Sequence, residues 1–260
     1  MGVINITPDS FSDGGRFPGT EAAILHARRL IAQGADVLDV GGESTRPGAD
    51  PVSEADELAR VLPLIQAISA ESDIPISIDT LKPGVARAAV AAGASIWNDV
   101  AALAAPGALA VAAELGCQVI IMHMQGEPQT MQADPRYDDV VAEVGAFLAG
   151  RAEAAIAAGV ARERIWIDPG IGFGKTLEHN LDLLAHLDRI AALGFPLVLG
   201  VSRKRFIRAI DPAGEDASDR LGGSLAAGLW GASHGVAALR VHDVLATVQA
   251  LKVWAAISRI

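Results

Sequence analysis

The sequence is short of cysteine, of basic charge and of long apolar runs. Cys117 is the only cysteine among 260 residues, so the chain cannot form an internal disulfide or a metal site built from cysteine thiolates. It has 21 Lys and Arg against 31 Asp and Glu, a net charge of -10, whereas a nucleic-acid binder needs a surplus of basic residues on one face. These shortages argue against nucleic-acid partners and indicate a reducing compartment, which we take to be the cytoplasm.

The sequence also lacks the signals of export and of membrane insertion. No stretch reaches the roughly 18 consecutive apolar residues that a membrane-spanning helix needs. The first residues, MGVINITPDSF, have neither the charged start nor the apolar centre of an export signal. We therefore predict a protein that is neither exported nor embedded in a membrane.

The chain does have a regular alternation of short apolar runs with Ala-rich amphipathic stretches. The apolar runs, in chain order, are GVINI, ADVLDV, PISID, ASIWND, QVIIMHM, RIWIDP, PLVLGVS and VAALRVHD. Stretches with helical spacing, such as EAAILHARRLIAQG, lie between them. Glycines stand where these helices should end, namely Gly34, Gly93, Gly116, Gly159, Gly194 and Gly235. Eight such units in about 250 residues match the size of a closed parallel barrel.

We therefore predict one α/β domain over residues 1–260, folded as a (βα)8 (TIM) barrel. A doubly wound open sheet is the alternative, but it would carry a Gly-rich nucleotide-binding turn after its first strand, and NITPDSF stands there. The segment PGIGFGKT also fails the P-loop pattern, because Pro169 occupies the position of the first glycine. The histidines have no zinc-site spacing.

Polar residues follow nearly every predicted strand, which is where (βα)8 barrels place their active sites. In chain order they are Asn5, residues 42–46, Asp79, Asn98 with Asp99, His123, Asp168, residues 202–204, and Arg240 with His242. Two carboxylates and an amide that point inward can hydrogen-bond a flat heterocycle, such as a pterin or a guanine. Lys204 and Arg240 add positive charge that suits a ring carbonyl or a phosphate. At one position alone, an ordinary loop residue is an equally good interpretation.

Eight strings of the sequence, in order and across essentially the whole chain, resemble the dihydropteroate synthases. They are NITPDSFSDGG, GGESTRPGA, SIDTLKP, NDV, MHMQG, DPGIGFGK, SRK and RVHD. The first, second and sixth are long and specific, whereas SRK alone would carry no weight. The resemblance implies an enzyme of folate biosynthesis that joins 6-hydroxymethyl-7,8-dihydropterin diphosphate to 4-aminobenzoate with loss of diphosphate. It also implies that sulfonamides should compete with 4-aminobenzoate.

The resemblance further implies how the binding residues are divided. The pterin would be held deep in the barrel by five residues: Asp79, Asn98, Asp168, Lys204 and Arg240. The diphosphate would be bound by Thr45, Arg240 and His242. A Mg2+ would bridge the diphosphate to Asn5. The 4-aminobenzoate would lie against Arg46, Pro47, Phe173 and Ser202.

The first loop, TPDSFSDGGRFPG, is Gly-rich and long enough to close over the site. From this composition and the family likeness we expect Phe11 and Asp13 to exclude water and to shape the pocket of the second substrate, together with Arg46. Family members usually carry a short segment before the first strand. Here Met1 lies within that strand, so the usual segment is expected to be lacking, unless the true start lies upstream.

Two other functions remain open on this sequence. A pterin-dependent methyltransferase that serves a corrinoid protein would share the pterin-holding residues, but it would not need Asn5, the TPDSF loop or the STRPG loop. An inactive pterin-binding barrel would be expected to have lost Lys204, Arg240 or the first loop, and the chain keeps all three.

The last two helical stretches, SLAAGLWGASHG and DVLATVQALKVWAAI, are apolar on more than one face. Apolar surface of this kind is usually covered in a soluble protein. Together with the family likeness, this pattern favours a homodimer through this end of the barrel. Tight packing within one chain is the alternative.

Overall fold

A computed structural model describes residues 1–6, 18–44 and 49–258 of the chain. Strands and helices alternate through these ranges. The strands are β1 (Gly2–Asn5), β2 (Leu38–Gly41), β3 (Ile76–Asp79), β4 (Ile96–Asp99), β5 (Gln118–Met122), β6 (Ile165–Asp168), β7 (Val198–Leu199) and β8 (Ala238–Leu239). Each strand overlaps one of the eight apolar runs, so all eight strand predictions are confirmed.

Helices connect and follow these strands. They are α1 (Pro18–Ala32), α2 (Glu54–Glu71), α3 (Pro83–Ala91), α4 (Ala108–Leu115), α5 (Val140–Ala157), α6 (Leu177–Ala185), α7 (Leu187–Ala191), α8 (Arg205–Ile210), α9 (Leu221–Ser233) and α10 (Val244–Ile257). Short 3-10 turns lie at Arg162–Arg164 and Ala217–Arg220. The six glycines predicted to end helices all have positive φ, between 57° and 117°. Their predicted role as helix terminators is confirmed.

The eight strands close into a parallel barrel. Strands β1 to β6 pair in chain order, and β7 pairs with β8. Single bridges join these two groups, from Ile167 to Leu197 and from Gly2 to Val241. At the second seam the N–H of Val3 also donates to the carbonyl of Val241, at 2.9 Å. The predicted (βα)8 barrel is therefore confirmed, and the open-sheet alternative is wrong.

Successive side chains of each strand point alternately out of and into the barrel, and they form two separate buried clusters. Side chains that point outward, such as Ile78, Trp97 and Ile167, are fully buried in the main core and pack against the helices. A smaller cluster around Ile96 and Val198 lies on the inward face. This cluster fills the interior beneath the strand ends, so the barrel is packed below and polar above.

None of the helices in the described ranges is long and apolar enough to cross a membrane.

Candidate active site

Strand register places the predicted polar residues in one layer of the barrel interior. Asn5 pairs with Gly41, Gly41 with Asp79, and Asp79 with Asn98, in successive neighbouring strands. Paired positions in a parallel sheet lie side by side with their side chains on the same face. The site at the strand ends therefore follows from register, and its members converge although they come from separate strands.

The centre of this layer is an ion-pair network around Arg240. Its Nε donates to Asp39 at 2.6 Å, and its Nη2 donates to Asp79 at 2.7 Å. The other oxygen of Asp39 accepts from Nδ2 of Asn98 at 3.4 Å. Burial opposes the charge on Arg240, but Asp39 and Asp79 outweigh it and raise the pKa above its ordinary value. A fixed cation therefore stands in the middle of the site.

Asp79 is only partly satisfied by this network. One carboxylate oxygen accepts from Arg240, whereas Oδ1 is buried and has no hydrogen-bond partner in the described part of the chain. Burial raises the pKa of Asp79 to about 7, against the opposing effect of Arg240. A buried acceptor without a partner costs free energy. A bound molecule with an N–H group at this point would remove that cost.

Asp168 and Lys204 form the opposite side of the layer. Asp168 is 6% exposed, and burial raises its pKa although its Oδ1 accepts from the backbone N–H of Gly170 at 2.7 Å. Desolvation lowers the pKa of Lys204 to about 7, even though part of this side chain stays accessible to solvent. The Lys204 ammonium also lies 4.0 Å from the centre of the Phe173 ring. The network thus carries both charge signs next to an aromatic face.

Ser202 and His242 lie together at the ends of the last two strands. Oγ of Ser202 accepts from the backbone N–H of His242 at 3.2 Å and lies 3.0 Å from Nδ1 of the ring. A cavity of about 800 Å³ reaches from Asn5 and His242 outward over α1 and α10. Its lining is mainly α1 and α10, so this cavity adjoins the site only at the edge formed by Asn5 and His242.

The segment DPGIGFGK packs against the end of β5 through its glycines. Gly170 and Gly174 both have positive φ. A Cβ at Gly170 would lie 1.9 Å from the carbonyl oxygen of His123, and one at Gly174 would lie 2.4 Å from that of Gln125. Only glycine allows this backbone-to-backbone approach. The glycines that resemble a P-loop therefore serve loop packing.

Five of the predicted site residues lie outside the described residues, namely Phe11, Asp13, Thr45, Arg46 and Pro47. Their predicted roles stay predictions. The other nine are described: Asn5, Asp79, Asn98, Asp168, Phe173, Ser202, Lys204, Arg240 and His242. All nine come from strand ends or from the loops that directly follow them.

One residue at the centre of the site, Asp39, escaped prediction. It lies within β2 and is fully buried, with Arg240 and Asn98 as partners. Its signal in the sequence was a single acid inside an otherwise apolar run, ADVLDV. A buried charge inside a strand is rare unless it is paired, so an acid in such a run indicates a cationic partner from elsewhere in the chain.

The fold and this site define a (βα)8 barrel with a polar small-molecule pocket at the carboxyl ends of its strands. Comparison with known proteins narrows the class. A family model described as "Pterin binding enzyme" matches residues 1–242. The chain therefore belongs to the pterin-binding enzymes. Relatives similar to it include dihydropteroate synthases.

Two of these relatives, one of them in two structures, show how far the similarity extends. The dihydropteroate synthase of Escherichia coli (strain K12) is 48% identical over 253 residues, covering 97% of this chain and 89% of that protein. The Xanthomonas albilineans dihydropteroate synthase with 4-aminobenzoic acid has a TM-score of 0.95 and 52% identity, and covers 100% of this chain and 93% of its own. The same enzyme in complex with 7,8-dihydropteroate gives a TM-score of 0.90 and 48% identity with the same coverage. The resemblance inferred from the motifs is confirmed.

Proposed function

We propose that the chain is a dihydropteroate synthase of folate biosynthesis, acting in the cytoplasm. It would condense 6-hydroxymethyl-7,8-dihydropterin diphosphate with 4-aminobenzoate to give 7,8-dihydropteroate and diphosphate. The observation that carries the proposal is the unpartnered Oδ1 of Asp79, buried beside Asn98 and Arg240. A pterin offers N–H donors and ring acceptors in one plane, which this set of acids, amide and cations complements.

The pterin would occupy the interior layer. Asp79 and Asp168 would accept from its N–H groups, Asn98 would donate and accept, and Lys204 would donate to the ring carbonyl. The guanidinium of Arg240 would lie against the ring, a contact that suits its planar, delocalised charge. The support for this arrangement is the shared inward face of Asp79, Asn98 and Asp168 and the buried Oδ1 of Asp79, which has no hydrogen-bond partner in the described part of the chain.

The reaction would run by displacement at the CH2 group that links the pterin to the diphosphate. The C–O bond breaks and the diphosphate leaves with the electron pair, while the electron-rich ring stabilises the positive charge left on the CH2. The amine nitrogen of 4-aminobenzoate then forms the C–N bond and loses a proton. Ionised Asp79 and Asp168 would stabilise the positive ring, which is electrostatic stabilisation aimed at the transition state.

The diphosphate would lie on the side of Asn5 and His242, with Arg240 and Thr45 as further ligands. Among the described residues no group of three or more His, Cys, Asp or Glu could hold a metal ion. One Asn oxygen nevertheless fits a Mg2+ that arrives with a diphosphate, because this ion usually keeps several waters and takes one or two protein ligands. When bound, Mg2+ would neutralise charge on the leaving diphosphate.

The 4-aminobenzoate would bind above the pterin, against Phe173 and Ser202, with Arg46 and Pro47 from the second loop. The supporting contact is the Lys204 ammonium over the Phe173 ring, which puts an aromatic wall beside the proposed pterin pocket. Phe11 and Asp13 of the first loop would exclude water. We also propose that residues 1–260 form one catalytic domain, because the barrel joins Gly2 to Val241, and that two copies pair through α9 and α10.

The test measures diphosphate release by purified protein supplied with the dihydropterin diphosphate and Mg2+, with and without 4-aminobenzoate. Release should depend on 4-aminobenzoate and yield 7,8-dihydropteroate. An Asp168→Asn variant should lose about 100-fold in rate or more, while Asp188→Asn, on the exposed face of α7, should match the wild type.

Binding of the pterin without turnover would instead support the methyltransferase or the inactive binding barrel. A protein that binds no pterin at all would contradict the proposal.

A further inference from the structure

Lys175 is a buried cation that the proposed reaction does not use. Its side chain is 3% exposed, and no carboxylate in the described part of the chain forms an ion pair with it. Nζ lies 2.9 Å from Nδ1 of His123, 3.0 Å from the carbonyl oxygen of Phe173 and 3.4 Å from that of His123. An ammonium has three donors and no acceptor, so these three acceptors match it one to one.

Keeping a lysine in this place is costly. Burial lowers the pKa of Lys175 to about 7, with Asp168 opposing the shift. Lysine is almost never fully buried without a partner of opposite charge. An apolar side chain of the same length would fill this space without that desolvation cost, so the amine has to be explained by the groups that it holds.

One end of this contact is His123, which directly follows β5. Burial, and then the charge of Lys175, lowers the pKa of His123 to about 3. The ring is therefore neutral and its Nδ1 can accept from the ammonium. The ring also meets Phe147 edge to face, with 4.9 Å between centres. His123 thus offers Lys175 an acceptor that cannot swing away.

The other end holds the backbone of the loop between β6 and α6. Three successive carbonyls of this loop each accept a side-chain donor. Nε2 of Gln132 donates to Gly172 at 2.6 Å, Lys175 donates to Phe173, and the Tyr137 hydroxyl donates to Gly174 at 2.8 Å. Lys175 provides the middle contact, directly at the residue whose ring faces Lys204.

Phe173 is therefore held from both sides. Lys175 binds its carbonyl from within the barrel wall, and the Lys204 ammonium lies over its ring at 4.0 Å. A Cβ at the adjacent Gly172 would already lie 3.3 Å from Cδ of Lys204, so there is little free space between the loop and that lysine. A shift of the Phe173 backbone must move the ring with respect to Lys204.

We propose that Lys175 is a positioning residue, which fixes the Phe173 ring over Lys204 by holding the Phe173 carbonyl against His123. It would touch neither substrate. The proposal rests on the proposed function, in which Lys204 binds the pterin and Phe173 forms the wall of the 4-aminobenzoate pocket. Lys175 would therefore set the geometry at the boundary between the two substrates.

The first test is a double-mutant cycle of Lys175→Met and Phe173→Leu. Each single variant should raise the KM for 4-aminobenzoate about 10- to 100-fold, and should change the Kd for the dihydropterin diphosphate much less. The double variant should be no worse than the more impaired single variant, because both changes disrupt one contact. Arg189→Met, at an exposed cation on α7, is the control and should leave every constant unchanged.

The second test needs no activity. The chain has only four lysines, Lys82, Lys175, Lys204 and Lys252, so labelling lysine Cε with 13C gives four assignable NMR signals. The Lys204 signal should be displaced by the Phe173 ring current in the wild type. Both Lys175→Met and Phe173→Leu should remove that displacement, while the signals of Lys82 and Lys252 stay in place.

Additive effects in the cycle, or an unmoved Lys204 signal in Lys175→Met, would overturn the proposal. The proposal would also be overturned if Lys175→Met raised the KM for 4-aminobenzoate and the Kd for the dihydropterin diphosphate equally and shifted all the remaining lysine signals, because that pattern means a general loss of folding. Absence of turnover in the wild type would contradict the proposed function, and the Lys204 signal would still decide the role of Lys175.

Discussion

Asp39 and Arg240 stand 201 positions apart in the sequence and meet inside the barrel, with 2.6 Å between Oδ2 and Nε. Asp39 is fully buried and belongs to the second strand, whereas Arg240 directly follows the eighth. The contact runs across β1, the strand between them. It sets the orientation of a guanidinium that also binds Asp79.

Removal of the Asp39 charge should therefore damage both folding and substrate binding. Breaking a buried ion pair by removing one partner costs about 3–5 kcal/mol. We expect the lower part of this range for Asp39→Asn, because the amide oxygen can still accept from Arg240. Urea unfolding measures the loss, and the Kd for the dihydropterin diphosphate should rise in parallel. The control is Asp36→Asn, at an exposed position just before β2, and equal behaviour of the two variants would contradict the prediction.

Stability should depend on pH through Asp79. Its pKa is about 7 in the folded state, compared with an ordinary value of 3.8. Between these values the folded state keeps a proton that the unfolded state has lost, so this group stabilises the fold below about pH 4 and loses that contribution as pH rises towards 7. The Asp79→Asn variant cannot titrate. Its unfolding free energy relative to wild type should therefore rise from pH 4 to pH 7 and stay level above pH 8.

Urea unfolding at four pH values between 5 and 8 checks this expectation. Asp188→Asn should give the same difference from wild type at every pH. A constant difference for Asp79→Asn as well would mean that Asp79 is ionised throughout the range.

Two glycines keep the pocket open. A Cβ at Gly41 would lie 3.6 Å from Cβ of Asp79, and one at Gly200 would lie 3.8 Å from Oδ2 of Asp168. These are ordinary contacts, so the Gly41→Ala and Gly200→Ala variants should fold. Their free energy of unfolding should rise by about 0.4–1 kcal/mol, because alanine lowers the conformational entropy of the unfolded chain. The added methyl group should weaken binding of the dihydropterin diphosphate about tenfold or more.

Calorimetric titration and thermal unfolding separate these two effects. Gly150→Ala, in α5 with no atom within 4 Å of the added carbon, should not change the affinity. If Gly41→Ala and Gly200→Ala bind as tightly as wild type, the pterin does not lie on this face.

A sulfonamide should compete with 4-aminobenzoate. The proposed pocket, formed by the Phe173 ring and the Ser202 hydroxyl, would bind the two molecules reversibly at the same place. The inhibitor should therefore raise the apparent KM for 4-aminobenzoate and leave kcat unchanged. Steady-state kinetics at several inhibitor concentrations check this, and a fall in kcat at saturating 4-aminobenzoate would contradict a shared pocket.

Apolar residues on the last helix should support a homodimer. Leu245, Val253 and Ile257 of α10 are 60%, 56% and 67% exposed, although apolar surface of this kind is usually covered. Val253→Glu should shift the protein towards monomer in sedimentation velocity experiments at micromolar concentration. Ile156→Glu on α5 is the control and should leave the distribution unchanged. A wild-type protein that sediments as a monomer would contradict the pairing.

The fold was predictable because two independent features of the sequence, its apolar runs and its glycines, indicate the same strand and helix boundaries. Apolar runs locate the strands, and glycines with positive φ end the helices that precede them. The short elements between β7 and α9 were harder to predict. Both α8 and the 3-10 turn Ala217–Arg220 are too short to show a helical repeat in the sequence. Length of the element, and not its burial, decides what such a pattern can detect.

The site was predictable at strand ends and not below them. Asp79 and Asp168 end their strands and Asn98 is one residue from the end of its own, so position alone marks them as candidates. Asp39 lies one layer deeper, and only the register with Ser77 and the distant Arg240 gives it a role. Lys175 belongs to a segment that fails a nucleotide-binding pattern, and the histidine that explains it follows a distant strand, β5.

The seam between the first and last strands has a consequence for synthesis. Gly2 bridges to Val241, and the backbone nitrogen of Met1 donates to the carbonyl of Leu239 at 2.8 Å. A nascent chain that is still short of these residues has seven strands, an open edge and a buried acid, Asp39, without its cation. Nearly the whole chain must therefore leave the ribosome before the pocket can form. Until then the outer edge of the first strand has unpaired backbone N–H and C=O groups, which can pair with other chains.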